Sequence, residues 1–100
     1  YLSGQIPLHP ASMNLVEGDI RTQTEQVWTN LMAVAQAAGA SSDDLVKLTV
    51  YLTDLADFAI INDVLAKRLR PPYPARAVVG VQALPRGAAV EIEAIAVLPG

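Results

Sequence analysis

One arginine in this sequence asks for an explanation. In the stretch RPPYPARAVVGVQAL, Arg70 to Leu84, Arg76 interrupts a run of small and β-branched apolar residues. Stripping water from a guanidinium costs several kcal/mol unless an anion or a set of acceptors meets it. Two readings fit. In one, Arg76 makes a cross-strand ion pair with Glu91 or Glu93, contributing under about 1 kcal/mol if exposed. In the other, its planar fork of donors is held on a strand between Ala75 and Ala77, with room to receive a carboxylate. Glu91 and Glu93 lie two apart and share a strand face, where either suits the activation of a water. Alternating charge is equally the pattern of a solvated face, and parity does not separate the two glutamates.

Other chemistries are poorly supported. Cysteine is absent, which removes thiol catalysis and disulfides, and His9 is the only histidine, so a metal site would have to be built almost wholly from carboxylates. His9 lies in the proline-bounded stretch PLHPAS and reads as a solvated loop residue. Ser3, Ser12, Ser41 and Ser42 have no histidine that spacing recommends as a base. No glycine-rich phosphate loop or GxGxxG occurs, and SSDDL reads as a capping turn, Ser41 with Asp44. Neither a metal nor a cofactor is expected. Seven Lys and Arg against ten Asp and Glu, with no basic stripe, argue against nucleic acid as the main partner. No apolar run reaches the roughly 20 residues of a membrane span, and no signal-peptide pattern is present, so a soluble, cytoplasmic protein without membrane partners is expected.

The elements that must position these residues are legible from periodicity. From Asp19 to Ala38, Ile20, Thr24, Val27, Leu31, Val34, Ala35 and Ala38 recur at intervals of three and four, with Asp19 as N-cap and Gly39 as a left-handed closing residue. Trp28 and Met32 widen that stripe. A second helix is predicted from about Asp57 to Leu69, with Phe58, Ile61, Leu65 and Leu69 on its apolar face, ended by Pro71 and Pro72. Four strands are predicted in YLSGQIPL, DLVKLTVYL, ARAVVGV and AVEIEAIAV. The order strand, helix, strand, helix, strand, strand implies an α+β domain over residues 1–100, its sheet covered by both helices on one face.

Parity then divides the strand residues. Val46, Leu48, Val50 and Leu52, with Ala77, Val79 and Val81 and with Val90, Ile92, Ala94 and Ala96, are assigned to the helix-covered face. The opposite face is assigned Ser3, Gln5, Lys47, Thr49, Tyr51, Arg76, Val78, Gly80, Glu91, Glu93, Ile95 and Val97. That second set is too apolar for a freely solvated sheet and too charged for a closed core. Oligomerisation through it, with a polar pocket at its margin, accommodates both. Gly4 and Gly80 read as bulges or close backbone approaches.

Four of these stretches, SGQIPL from Ser3, LTVYLTDLADFAIIN from Leu48, YPAR from Tyr73 and VEIEAIAV from Val90, resemble the RidA family of reactive intermediate deaminases, also described as endoribonuclease L-PSP-like or translation initiation inhibitor-like. The resemblance spans essentially the whole chain. It implies a chorismate-mutase-like fold with a mixed sheet, a homotrimer with a central barrel, and active sites between subunits. It also implies cofactor-free hydrolysis of 2-enamine and 2-imine acids, such as 2-aminoacrylate and 2-iminopropanoate, to 2-oxo acids and ammonia. Carried over residue by residue, Arg76 binds the substrate carboxylate and Glu91 holds or activates the attacking water. Ser3 and Gly4 form the turn beside the substrate, Asn62 and Tyr73 border it, and Val78 takes a position that is often cysteine. The family's first strand and a tyrosine-bearing loop are expected before residue 1. Two other functions are compatible with the same residues: a non-catalytic module that binds a 2-oxo acid at Arg76, and an RNA-acting or interaction protein.

Overall fold

The computed structural model describes residues 1–99. Its elements are β1 (Leu2–Gln5), α1 (Ile20–Ala37), β2 (Leu45–Leu52), α2 (Phe58–Arg68), β3 (Ala75–Gly80) and β4 (Val90–Ala96). The first helix begins and ends for local reasons. The Asp19 carboxylate accepts a hydrogen bond from the Thr22 amide at 2.9 Å, capping α1. At the other end Gly39 takes φ +84°, while the Ala40 and Gly39 amides return to the carbonyls of Ala35 and Gln36 in a Schellman closure. The Ser41 turn forms as expected, its amide donating to the Asp44 carboxylate at 2.8 Å.

The sheet is mixed, in the order β1-β4-β2-β3, and β1 and β3 are its edges. β4 runs antiparallel to both β1 and β2, whereas β3 is parallel to β2 because α2 carries the chain across between them. Both helices pack on one face. Val27, Trp28, Leu31 and Ala35 of α1 and Ile61 and Leu65 of α2 form one core with Leu48, Val50, Leu52, Val90, Ile92 and Ala94 of the sheet. Ion pairs from Arg21 to Asp63 (2.7 Å) and from Arg68 to Glu25 bind the helices to each other on the outside. No helix of the described residues is long and apolar enough to cross a membrane.

Register corrects the expected division of the faces. In the parallel pair β2/β3, Leu48, Val50 and Leu52 stand opposite Arg76, Val78 and Gly80. Residues paired across a ladder point to the same side, so those three belong to the helix-covered face, and Ala77 and Val79 to the uncovered one. Val78 accordingly packs against the core, and Val79 is exposed. The sequence did not reveal this because ARAVVG carries small or apolar residues at both parities. Val46 is a second correction: a register irregularity between Leu45 and Lys47 buries Leu45 and turns Val46 outward. Gln5, in register with Ile92 beyond an irregularity in β1, also falls on the helix side. Val34 of α1 is partly exposed and not part of the buried stripe.

Candidate active site

The predicted site residues form two groups on opposite faces of the sheet. The first surrounds Arg76. A pocket of about 350 Å³ between α2 and the β3 edge has Leu48, Leu65, Leu69 and Pro74 in its apolar wall and Asn62, Tyr73 and Arg76 among its polar lining. α2 places Asn62 one residue past the buried Ile61, turned toward β3, where its amide oxygen accepts a hydrogen bond from the Arg76 guanidinium. The guanidinium carbon also lies 5.5 Å from the centre of the Phe58 ring, a cation–π contact. Phe58 was expected in the core; it instead stands at the rim, partly exposed, beneath the arginine. Among the described residues Arg76 makes no ion pair with a carboxylate. The cross-strand pair with Glu91 or Glu93 is excluded by register, because both glutamates face the other way. Arg76 is thus an exposed cation oriented by an amide and an aromatic ring, with part of its fork free for an anion.

The second group surrounds Glu91 on the uncovered face. Tyr51 and Glu91 are register partners, as are Thr49 and Glu93. The Tyr51 hydroxyl reaches diagonally past its own partner and donates to Glu93 at 2.6 Å. Glu91 has no such hydrogen bond among the described residues; burial, and secondarily the charge of Glu93, push its carboxyl above the ordinary value. Gly4 makes the room for it. A Cβ at position 4 would lie 2.7 Å from the Glu91 carboxylate, so the expected close approach at this glycine is real, and it coincides with the β1 irregularity between Leu2 and Gln5. Ser3 lines an adjoining depression with Lys47, Thr49 and Glu93.

The arrangement separates two chemical capacities: an exposed arginine with donors left free on the β3 edge, and a half-buried carboxyl of raised proton affinity on the open face. Sequence reasoning and the resemblance named seven site residues: the fold gathers Arg76, Asn62 and Tyr73 on one side and Glu91, Ser3 and Gly4 on the other, while Val78, two residues beyond Arg76 on the same face, packs against the core. Sequence reasoning passed over Phe58 and Tyr51, taking one as core and leaving the other without a role, because neither a ring beneath an arginine nor a diagonal hydrogen bond has a local signature. Among the described residues no group of three His, Cys, Asp or Glu side chains could hold a metal ion.

The endoribonuclease L-PSP family model matches residues 1–98. Protein DfrA of Myxococcus xanthus is 53% identical over 97 residues, covering 97% of this chain and 74% of that protein. The 2-iminobutanoate/2-iminopropanoate deaminase of Dermatophagoides farinae is 44% identical over 98 residues, covering 98% and 77%. Among solved structures, RidA from an Antarctic Psychrobacter superimposes with a TM-score of 0.92 at 51% identity, covering 96% of this chain and 77% of that one.

Proposed function

The chain belongs to the endoribonuclease L-PSP family, with RidA and the 2-iminobutanoate/2-iminopropanoate deaminases among its relatives, and from that premise we propose that it hydrolyses 2-enamine and 2-imine acids to 2-oxo acids and ammonia. Substrates of this class include 2-aminoacrylate and its tautomer 2-iminopropanoate. Their imine carbon is already electrophilic, so the protein need only hold the carboxylate, present a water and move one proton. Arg76 receives the carboxylate, with Asn62 fixing the guanidinium and Tyr73 and Val78 bordering the substrate. Glu91, beside Ser3 and Gly4, takes a proton as the water oxygen bonds to the protonated imine carbon and the C=N electron pair moves to nitrogen. Glu91 then returns that proton to nitrogen, and as the C–N bond breaks the hydroxyl oxygen forms the C=O bond and gives its own proton to the Glu91 carboxylate, releasing ammonia and the 2-oxo acid.

The observation that carries this reading is the placement of Arg76 and Glu91 on opposite faces of one sheet. A single chain cannot bring both to one substrate, so the site needs the arginine of one copy and the glutamate of another. β3 is a sheet edge, and the face bearing Glu91 is uncovered and partly apolar at Ala77, Val79 and Ile95. Both features support a homotrimer of the chorismate-mutase-like kind, in which the uncovered faces of single-domain copies enclose a central barrel and each neighbouring pair shares a site. Four cations, Arg21, Lys67, Arg68 and Arg70, are already engaged by carboxylates, which favours a small carboxylate over a phosphate backbone as ligand. A cytoplasmic location completes the reading.

Mixed assembly tests it. Arg76→Ala and Glu91→Gln proteins are each expected to be inactive on 2-iminopropanoate. Dissociated and reassembled together, they should recover about one quarter of wild-type turnover, the share of sites that draw both intact residues from different copies. No recovery in mixed trimers would show that the two residues do not serve one site.

A further inference from the structure

The two glutamates of β4 share a face and a sequence environment, yet the structure treats them differently. Tyr51 stands directly opposite Glu91 on β2, but its hydroxyl is given to Glu93, at 2.6 Å. Side chains diagonal to one another across an antiparallel pair are within reach of a long aromatic residue, so a ring at position 51 has access to either carboxylate. The bond it makes engages one oxygen of Glu93 and leaves the Glu91 carboxyl in the space left by Gly4. A carboxylate that accepts a hydroxyl proton is favoured as the anion, whereas one without a donor, partly shielded from water, is not. Two acids placed in unlike environments divide the acid and base roles between them.

We propose that Tyr51 is a positioning residue, which by holding the Glu93 side chain in place leaves Glu91 as the carboxyl that exchanges protons with the reactants. The proposal rests on the deaminase reading for the identity of those reactants. Few other groups bear on Glu91. On β4 its charged neighbour is Glu93, and on β2 the facing groups are Tyr51 and, farther along, Lys47 opposite Ile95. β1 offers the uncharged Ser3 and Gly4, and β3, beyond β2, presents Ala77 and Val79. Among the described residues of one chain, then, the charge beside Glu91 is that of Glu93, and Arg76 of a neighbouring copy, which the shared site brings to the same substrate, is unchanged in every variant compared. The charge of Glu93 and the burial of Glu91 both raise the proton affinity of Glu91.

The consequence has a definite sign. With the Tyr51 hydroxyl removed, the Glu93 side chain loses the partner that orients it, and its charge is no longer held beside Glu91. The Glu91 midpoint therefore falls, because the neighbouring charge that raised it acts from farther away. Tyr51→Phe keeps the ring and removes only the donor. Glu93→Gln, which removes the charge and retains the shape, should move Glu91 in the same direction. The experiment follows the Glu91 side-chain carbonyl carbon by NMR across pH, together with the pH profile of 2-iminopropanoate hydrolysis, in wild type, both single variants and the double variant. The expected result is a downward shift of the Glu91 midpoint of up to about one pH unit in each single variant. The double variant should match Glu93→Gln alone, because Tyr51 acts through Glu93. The acid limb of the rate should follow the midpoint. An unmoved Glu91 midpoint in folded Tyr51→Phe would overturn the proposal, as would a further shift in the double variant. A midpoint that moves while the acid limb stays fixed would leave Tyr51 as the residue that sets Glu91 and remove Glu91 from the hydrolysis.

Discussion

Arg76 pairs with Leu48 across β2 and β3, and Glu91 pairs with Tyr51 across β2 and β4. Positions 48 and 51 are an odd number of residues apart on one strand, so the arginine and the glutamate project from opposite faces of the sheet. Arg76 leans over Phe58 and Asn62 beside α2, and Glu91 lies against Gly4 on the face that no helix covers.

Removing the fork of Arg76 should weaken carboxylate binding without unfolding the protein, since the residue is exposed and makes no ion pair among the described residues. Arg76→Ala is expected to weaken pyruvate binding roughly 10- to 100-fold, the value of a charge-assisted pair, with an unchanged melting temperature. Arg76→Lys keeps the charge but cannot hold both oxygens, and should lose most of the turnover as well. Wild-type turnover by a trimeric Arg76→Ala would sink the mechanism.

Glu91→Gln is expected to lower kcat about 10²-fold while pyruvate affinity changes little, because the amide keeps the shape of the side chain and cannot take a proton from water. Glu93→Gln should lower kcat much less. Steady-state kinetics and calorimetric titration of both variants check this, and an exchange of the two effects would transfer the role to Glu93.

Gly4→Ala puts a methyl carbon 2.7 Å from the Glu91 carboxylate oxygen. The obstructed group is the end of a flexible side chain, and Gly4 is not among the glycines with positive φ, so the fold should accept the change. The carboxylate must swing aside. A displacement of about 1 Å at a catalytic group corresponds to roughly a 10²-fold loss of turnover, with melting temperature near wild type. Full activity in Gly4→Ala would mean that the position of this carboxylate does not matter.

The environment of Glu91 also fixes the sign of a stability effect. Burial first, and then Glu93, raise its proton affinity in the folded state above the ordinary carboxyl value of 4.5. The folded protein therefore binds that proton more tightly than the unfolded chain does. The resulting stability is fully present below the unfolded value and is lost as pH rises through the higher folded one. Glu91→Gln has no charge to expose to this cost. Relative to wild type it should melt at a higher temperature at neutral pH, and the difference should shrink as the pH falls below the ordinary carboxyl range. Thermal melts of both proteins across pH would reveal a constant difference if burial of the ionised carboxyl plays no part.

Much of the fold was written in local pattern. Asp19, the three-and-four spacing through α1 and the glycine at position 39 mark a helix because each satisfies backbone groups within a few residues of itself. The alternation of Val90 to Ala96 marks a strand because burial of Val90, Ile92 and Ala94 is a property of one strand's own pleat. The same locality made Arg76, Glu91 and Gly4 visible as residues in need of a reason. What no single stretch contains is the register of one strand on another. β3 is apolar or small at both parities, so its own sequence is compatible with either face, and the parallel pairing of Leu48 with Arg76 decides between them. Irregularities at Leu45 to Lys47 and at Leu2 to Gln5 reset parity within a strand and turned Val46 and Gln5 to unexpected sides. Strand parity left Glu91 and Glu93 alike, and only the family resemblance favoured Glu91. The two differ through the reach of Tyr51 from β2 and the space beside Gly4 on β1, and pairing across strands is set by the packing of the whole sheet.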